Sequence, residues 1–423
     1  MNSQLNAGII GLGGFAVAHH KAVYELERKK KIKLLCTCDI EVEKFTQTIK
    51  ELKIHKRGVE LFDNYIKMLD NFSSRLNFVT IPTPIHLHAE MHNQAVIRKL
   101  PVYLEKPPTL DYFELQKMLI NEKNAIRQTT VGFNFIIQKL RHKIKERIIS
   151  GEFGKVKKIT FIGHWPRYAS YFRRSPWAGK LILDGKFVLD SCFGNAISHY
   201  IHNILFWCGI TDLFSWDTVE EVQSELYRVH DIQGMDTVFV LASTKHVEDI
   251  RLILTHACSK KTKDIEKIYC DNAEIQFEGN ASNDKGFYAQ CKIRWNNGKQ
   301  EMLEESYENL LRDNIEYYAD YLLGIHQRPL TLLSDTESFV MFNGLIYVAA
   351  KKIAQIPEEF IERINVDNNE YLLSIKDIQK ISEVFIETGK FPSEQKIKWA
   401  KPGGYAKYDQ IKDLHEIILN MAS

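Results

Sequence analysis

The first third of the chain alternates short apolar runs with longer amphipathic stretches. Stretches 89–99 and 111–125 carry apolar residues at helical spacing. The apolar runs between such stretches, which predict buried strands, are 7–10, 32–38, 77–81, 102–104 and 129–135. Because strands alternate with helices, this region is predicted to form a parallel sheet covered by helices on both faces.

From residue 155 onward the pattern changes to longer strands with few helices between them. Asn296-Asn297-Gly298 predicts a hairpin turn, because a type I′ turn needs positive φ at its central residues. Two helices, about 307–323 and 334–353, and a charged amphipathic tail from residue 358 are predicted to follow. The predicted strands of this region are 155–165, 218–229, 237–243, 249–258, 267–277 and 287–295.

These patterns predict an α/β chain of two domains. Residues 1–130 are expected to form a Rossmann-type domain on a parallel sheet. Residues 131–423 are expected to form an α+β domain with a large, mostly antiparallel sheet and a C-terminal helical extension.

Charge and composition exclude several classes of protein. Lys and Arg number 56 against 54 Asp and Glu, so the formal net charge of +2 favours neither nucleic acid nor an anionic membrane. No run reaches the ~20 apolar residues that a membrane span needs. The early apolar run 7–18 is broken by glycines and lacks a basic leader, which is atypical of a signal peptide. The seven cysteines have no repeating spacing and predict reduced thiols, so a cytoplasmic protein is expected.

A glycine-rich turn directly follows the first predicted strand. The segment 11–16 has the pattern G-x-G-x-x-A and opens a helical stretch. Gly11 permits the tight turn, Gly13 lets the main chain approach a pyrophosphate, and Ala16 allows close packing of helix on strand. Asp39 ends the second strand, where an acid binds the ribose hydroxyls. The predicted dinucleotide-binding residues of this part are Gly11, Gly13, Gly14, Phe15, Ala16 and Asp39.

Further motifs combine with this turn to resemble the Gfo/Idh/MocA oxidoreductases. Segment 81–90 resembles the family's T-P-x-x-x-H loop, and segment 102–107 resembles its strand ending in E-K-P. Segments 131–134 and 151–156 resemble its next strand and the start of its second domain. The resemblance, which covers residues 8 to about 210, implies an NAD(P) cofactor and a second domain whose open sheet often mediates assembly into homodimers or tetramers. It also implies further cofactor-binding residues, namely Thr83, Pro84, His88, Glu105, Lys106 and Asn134.

Lys106 follows the fourth of these predicted strands at its C-terminal end, the sheet edge where ligands bind. Hydride transfer to or from nicotinamide needs a nearby group that exchanges a proton with the substrate oxygen. A partly desolvated lysine has a lowered pKa and can fill that role. The resemblance therefore implies that Lys106 is catalytic, and the alternative is a surface lysine at a strand end.

The family's second-domain signature is usually D-x-x-x-H on one helix face. His199 takes the histidine position, but Asn195 stands where aspartate is usual. An amide can orient the histidine or bind a hydroxyl, yet it lacks the charge that would raise the histidine's pKa. Asp190, just before the helix, is an alternative source of that carboxylate. His202 lies one turn from His199 without an acidic cluster nearby, so no metal site is expected.

A segment rich in arginines and aromatic rings, 164–177, precedes this helix. In the family the corresponding segment lines the substrate site, and such residues suit a sugar, whose ring stacks and whose hydroxyls form hydrogen bonds. The alternative is a surface loop with ordinary core aromatics. The predicted substrate-binding residues are Arg167, Tyr168, Arg173, Trp177, Asp190, Asn195 and His199.

The resemblance implies an NAD(P)-dependent dehydrogenase or reductase acting on a secondary alcohol or carbonyl of a sugar, polyol or related carbohydrate. Lys106 and His199 are expected to converge on the substrate oxygen, with Asn195 orienting rather than ionising. NAD is preferred in this hypothesis because a 2′-phosphate near Asp39 would meet like charge, whereas use of NADP would need Lys44 or another cation to reach it. Two alternatives stay open, an NAD-retaining glycosidase of the same fold and a non-catalytic sugar or dinucleotide sensor.

Overall fold

Strands that alternate with helices in the first third give way to consecutive long strands in the middle of the chain. The structure, a computed structural model, describes residues 4–367 and 370–422. The strands in these ranges are β1 (Leu5–Ile10), β2 (Ile32–Cys38), β3 (Glu60–Phe62), β4 (Phe78–Ile81), β5 (Val102–Leu104), β6 (Thr130–Val131), β7 (Val156–His164), β8 (Ile182–Leu183), β9 (Lys186–Phe187), β10 (Val219–Arg228), β11 (Thr237–Thr244), β12 (Asp249–Thr255), β13 (Ile265–Cys270), β14 (Ala273–Asn283), β15 (Gly286–Trp295), β16 (Gln300–Tyr307), β17 (Ile353–Gln355), β18 (Ile361–Asn365), β19 (Tyr371–Ile375) and β20 (Gly404–Lys407).

The α-helices lie between the strands of the first sheet and flank those of the second. Within the described ranges they are α1 (Ala16–Arg28), α2 (Thr46–Glu51), α3 (Tyr65–Phe72), α4 (His88–Ile97), α5 (Tyr112–Glu122), α6 (Lys139–Ile149), α7 (Ala169–Arg173), α8 (Ser198–Cys208), α9 (Leu310–Leu322), α10 (Glu337–Ala350), α11 (Ile378–Thr388) and α12 (Leu414–Ala422). A π-helical turn, Cys192–Ala196, precedes α8.

The first sheet is parallel throughout. Its six strands run in the order β3-β2-β1-β4-β5-β6, so the order reverses direction at β1. All residues of β4 and β5 are buried, as expected for strands covered on both faces. In sheets of this kind ligands bind beyond the carboxyl ends of the strands, at the reversal of strand order.

One compact unit contains this sheet together with a later part of the chain. It comprises residues 1–109, 113–137 and 309–337, of which the described ones begin at residue 4. Helix α9 supplies Leu311, Ile315 and Tyr318 to the same buried cluster as Leu26 of α1 and Phe78 of β4. This grouping differs from the predicted division into 1–130 and 131–423, because the apolar face of α9 belongs to the first core.

The second unit comprises residues 110–112, 138–308 and 338–423, described except for 368, 369 and 423. Its ten-stranded sheet has the order β16-β15-β14-β13-β7-β12-β11-β10-β17, and β20 also pairs with β10. Only the pairs β7–β12 and β10–β17 among these are parallel. The predicted hairpin at 296–298 is present, since β15 and β16 pair antiparallel around it. The predicted type I′ turn is wrong, because of these three residues only Gly298 has a positive φ, +88°.

Two predicted strands differ from the structure. Segment 267–277 is not one strand, because the chain turns at Asp271 and Asn272 and β13 pairs antiparallel with β14. Segment 129–135 contributes only the two residues of β6 before a 3₁₀ turn begins at Asn134. Asp and Asn are common turn residues, but the strand-like pattern continues on both sides of Asp271 and Asn272 and hid the turn.

The tail beyond residue 358 does more than follow the surface. Phe385 of α11 is fully buried and packs in one cluster with Tyr227, Phe239 and Ile253 of the large sheet. Arg251 of β12 donates hydrogen bonds of 3.0 and 2.8 Å to the last carbonyls of α11, where a cation is favoured by the helix dipole. The extension therefore covers the face of β10, β11 and β12 that carries Tyr227, Phe239 and Ile253.

The predicted α/β fold class, a Rossmann sheet followed by a large mixed sheet, is confirmed. No helix in the described part of the chain has the length and apolar character needed to cross a membrane. The seven cysteines all lie in described positions and are free thiols.

Candidate active site

The glycine turn between β1 and α1 has the backbone geometry that a phosphate-binding turn requires. Gly11 has a φ of +122° and donates its N–H to the Cys38 carbonyl at 2.7 Å. A Cβ on Gly13 would lie 2.5 Å from the Phe45 ring, so a larger residue there would have to displace that ring. Gly14 has a φ of +55° and α1 begins at Ala16, so the N-terminus of the helix directly follows the turn.

Asp39 stands beside this turn at the end of β2. Its Oδ2 accepts the Leu12 N–H at 3.0 Å and its Oδ1 accepts the Glu41 N–H at 3.0 Å. A carboxylate accepts about four hydrogen bonds, so acceptor capacity remains for ribose hydroxyls. Lys44, the cation considered for a 2′-phosphate, forms an ion pair with Glu41.

His20 forms a hydrogen bond to the glycine turn, a contact that the sequence did not predict. Its buried ring lies with Nε2 3.0 Å from the Gly11 carbonyl and 3.3 Å from Thr37 Oγ1. Burial lowers the pKa of His20 to about 4. The ring is therefore neutral at pH 7, and its Nε2–H donates to the carbonyl of the first glycine.

His88 fixes two loops at the carboxyl edge of the first sheet. Its Nε2 lies 2.8 Å from the Thr83 carbonyl and its Nδ1 lies 2.9 Å from the Pro107 carbonyl. The ring is 1% exposed, and burial lowers its pKa. A neutral ring carries one N–H, so His88 donates to one of these two carbonyls at a time and lies between the T-P loop and the E-K-P loop. Thr83 and the adjacent Pro84 are half-buried. A direct contact of any of these with a cofactor stays a prediction.

Glu105 of the E-K-P segment is a buried carboxylate. It is 5% exposed, its Oε1 lies 2.9 Å from Nε2 of His19 on α1, and its Oε2 accepts the Lys106 N–H at 3.0 Å. Gly132 leaves room for it, since a Cβ there would lie 2.8 Å from Oε1. The Lys106 side chain is half-buried two residues beyond β5.

Asn134, a predicted cofactor-binding residue, lies next to the same group. Its Oδ1 accepts the Tyr103 hydroxyl at 2.9 Å, and both side chains are buried. Burial raises the pKa of Tyr103 well above its usual value, so the phenol remains a donor. The first unit therefore brings the glycine turn, Asp39 and the E-K-P segment to one edge of its sheet.

In the second unit Asp190 and Asn195 are in contact. Asp190 is 3% exposed, and its two carboxylate oxygens accept the Asn195 amide at 2.8 Å and the Gly179 N–H at 2.7 Å. A carboxylate therefore does stand beside Asn195, as the alternative for the missing family aspartate supposes. Its effect on His199 stays a prediction.

Asn195 and His199 do not share one continuous α-helix. Asn195 lies in the π-helical turn and His199 in the first turn of α8, which begins at Ser198. The two residues are therefore not positions i and i+4 of one α-helix, and their approach to one substrate stays a prediction. His202 is fully buried against Trp216, and burial lowers its pKa well below 6.5. The described residues contain no group of three or more metal-ligating side chains.

The arginine next to Asp190 is Arg174, which was not among the predicted site residues, and substrate binding by Arg173 stays a prediction. The Arg174 guanidinium lies 3.8 Å from the centre of the Tyr171 ring, 4.6 Å from that of Trp177 and 3.9 Å from Asp190 Oδ2. Arg173 is exposed. Sequence could not separate two adjacent arginines, of which Arg173 ends α7 and Arg174 directly follows it.

Arg167 also lies against Tyr171. Its guanidinium carbon is 4.6 Å from the centre of that ring and 5.6 Å from that of Trp165. Burial raises the pKa of Tyr171. Tyr168 is 44% exposed, at the start of α7. The predicted aromatic and arginine segment is therefore a stacked cluster beside Asp190.

The first unit matches a known protein family in sequence. Residues 5–133 match the family described as "Oxidoreductase family, NAD-binding Rossmann fold", GFO_IDH_MocA. A comparison with curated protein sequences gives no match.

Solved structures share the fold of both units. The WlbA dehydrogenase from Bordetella pertussis, solved with NADH and UDP-GlcNAcA, is 18% identical with a TM-score of 0.64, over 80% of this chain and 94% of its own. An oxidoreductase from Agrobacterium radiobacter, solved with NAD+, L-tartaric acid and magnesium, is 17% identical with a TM-score of 0.64, over 82% and 96%. Myo-inositol 2-dehydrogenase from Lactobacillus plantarum is 18% identical with a TM-score of 0.61, over 81% and 96%.

These likenesses agree with the fold, and the family match covers the first sheet and the glycine turn. The resemblance that the motifs indicate, the oxidoreductase class and the nicotinamide cofactor are confirmed. Over residues 5–133 the chain is similar to the NAD-binding Rossmann domain of the Gfo/Idh/MocA oxidoreductases.

Proposed function

We propose that the protein is an NAD-dependent dehydrogenase or reductase that transfers a hydride between nicotinamide and a secondary alcohol or carbonyl of a sugar, polyol or related carbohydrate. The observation that carries the proposal is the arrangement at the edge of the first sheet. There a glycine turn and Asp39 stand in the same unit as a lysine that follows the end of β5.

The residues of the first unit fit a dinucleotide. The open backbone of Gly11, Gly13 and Gly14 and the N-terminus of α1 suit a pyrophosphate. Asp39 keeps acceptor capacity for the ribose hydroxyls, and the adjacent Ile40, 83% exposed, offers apolar surface to an adenine. The bound nicotinamide supplies or takes up the hydride.

The chain itself supplies proton transfer and substrate binding in this proposal. Lys106 exchanges a proton with the substrate oxygen, and its ammonium stabilises negative charge that develops there. His199 and Asn195 of the second unit bind substrate hydroxyls, with Asp190 holding the Asn195 amide. Two guanidiniums, Arg167 and Arg174, stacked on Tyr171 favour a substrate that carries an acidic group. Assembly into a homo-oligomer and a cytoplasmic location stay predictions.

The test is NADH production on a panel of sugars, polyols and their acid forms by the wild-type protein. With an oxidised substrate in hand, Lys106→Met keeps the length of the side chain but removes the charge and the donors. A group of this kind contributes ~10²–10⁴-fold to turnover, so kcat should fall by that factor while NADH affinity changes little.

Lys123→Met, which alters another lysine of the first unit, is the control for loss of charge alone. The proposal fails if the wild type binds NADH yet oxidises and reduces no carbohydrate of the panel. The assignment of Lys106 fails if Lys106→Met keeps near-normal turnover.

A further inference from the structure

A buried histidine links the helix that follows the glycine turn to the E-K-P segment. His19 lies in the first turn of α1, is 0% exposed, and places Nε2 2.9 Å from Glu105 Oε1. The other carboxylate oxygen of Glu105 accepts the Lys106 N–H at 3.0 Å. One carboxylate thus joins a side chain of α1 to the main chain of the proposed proton-transfer residue.

The surroundings leave this carboxylate little freedom. The His19 ring packs edge-on against Tyr103, with centroids 5.6 Å apart, and against Phe15 of the turn, at 5.8 Å. Gly132 closes the opposite side, since a Cβ there would come within 2.8 Å of Oε1. A charge buried in such a place needs hydrogen bonds to be stable, because it has lost its water.

We propose that His19 is a positioning residue for the proposed reaction. Its Nε2–H holds the Glu105 carboxylate in the orientation that receives the Lys106 N–H, and so fixes the main chain from which the lysine side chain extends. The inference rests on the proposed role of Lys106. Because Phe15, in the glycine turn, contacts the same ring, the pair also connects the cofactor turn to the proton-transfer residue.

Without this donor the carboxylate would lose one of two hydrogen bonds and turn toward another partner. The hydrogen bond from the Lys106 N–H to Glu105 would then break more often, and the Lys106 ammonium would spend less time at the reacting oxygen. A displacement of about 1 Å in a catalytic group costs ~10²-fold in rate. Binding of NADH should change little, since the turn and Asp39 are untouched.

The experiment compares His19→Leu, which removes the donor, with His19→Gln, whose amide nitrogen can reach the carboxylate in place of Nε2. His92→Leu is the matched control, because His92 is also 0% exposed in the first unit but bonds to Thr129 Oγ1 at 2.9 Å. The readouts are kcat and KM on a substrate of the panel, NADH affinity by fluorescence, and hydrogen exchange of the peptide that contains the Lys106 amide.

We expect His19→Leu to lower kcat ~10²-fold and to speed exchange of the Lys106 amide about tenfold, with NADH affinity within about threefold of wild type. His19→Gln should restore both, and His92→Leu should leave both near wild type. Unchanged exchange at Lys106 in His19→Leu, or equal loss in His19→Leu and His19→Gln, would overturn the inference. The exchange measurement needs no substrate, so it tests the positioning of the Lys106 main chain even if the panel refutes the proposed function. If His19→Leu does not fold, the exchange is measured in His19→Asn, whose side chain is too short to reach Glu105 Oε1.

Discussion

Replacement of Asp39 by alanine gives the sharpest test of the cofactor site. The substitution removes the carboxylate that accepts the Leu12 and Glu41 N–H groups at 3.0 Å and that we assign to the ribose. A hydrogen bond to a charged group contributes ~1.5–3 kcal/mol, and ~1.4 kcal/mol corresponds to tenfold in affinity. Loss of one such ribose bond should therefore weaken NADH binding about 10- to 100-fold.

For NADPH the same substitution works in the opposite direction. A 2′-phosphate beside Asp39 meets a like charge, and two unit charges 4 Å apart repel by ~1 kcal/mol in water and ~4 kcal/mol near a protein surface. Removal of Asp39 relieves this repulsion while it removes the ribose bond. NADPH affinity should thus rise or stay level, and the preference for NADH should shrink at least about tenfold.

Fluorescence titration of both reduced cofactors measures this directly. Asp39→Asn, which keeps acceptors but no charge, should lie between wild type and Asp39→Ala. Lys44→Gln should leave the preference unchanged, because Lys44 is paired with Glu41. If wild type binds NADPH tenfold tighter than NADH, or if Asp39→Ala weakens the binding of both cofactors equally, Asp39 does not bind the ribose hydroxyls.

Three further predictions concern stability and substrate binding. Burial lowers the pKa of four histidines, from the usual 6.5 to about 4 in three of them and to about 3 in His256. Below pH 6.5 the unfolded chain therefore binds protons at these histidines that the folded chain does not. In urea unfolding at pH 7, 6 and 5 the free energy of unfolding should fall by ~1.4 kcal/mol per pH unit for each of them near pH 5, and a flat profile would contradict this. These histidines are His20, His92, His164 and His256. Arg141→Met leaves the fully buried Glu266 without its cation at 2.7 Å and should cost ~3–5 kcal/mol of stability. Arg147→Met, at a more exposed pair, should cost less than that by denaturant titration. Arg174→Gln should raise the KM for acidic substrates about tenfold with kcat nearly unchanged. Arg173→Gln, which leaves the Arg174 contacts with Tyr171 and Asp190 intact, should not. Equal effects of the two would remove Arg174 from the substrate site.

The sequence predicted the strands that are mostly or fully buried. The bounds of β2 and β5 agree with the apolar runs 32–38 and 102–104. β3, Glu60–Phe62, was missed because it is short and only half-buried, so it carries no continuous apolar run. The turn between β13 and β14 was missed because Asp271 and Asn272 interrupt the pattern for only two residues.

In the candidate site, the sequence predicted the residues that belong to a short motif of consecutive residues. The glycine turn, Asp39 and the E-K-P segment are of this kind, and the structure brings them to one sheet edge. His19 and Arg174 were missed because their partners, Glu105 and Asp190, are far along the chain or on another loop. Such pairings arise from tertiary packing, which no local pattern encodes.

The return of residues 309–337 to the first unit matters for how the protein is made. During synthesis β1 to β6 leave the ribosome long before α9, whose Leu311, Ile315 and Tyr318 complete their core. Until then the apolar face of α1 that receives α9 is open to water and to other nascent chains. A fragment cut after residue 137 would keep that exposed face permanently, so a separately expressed cofactor domain needs residues 309–337 joined to it.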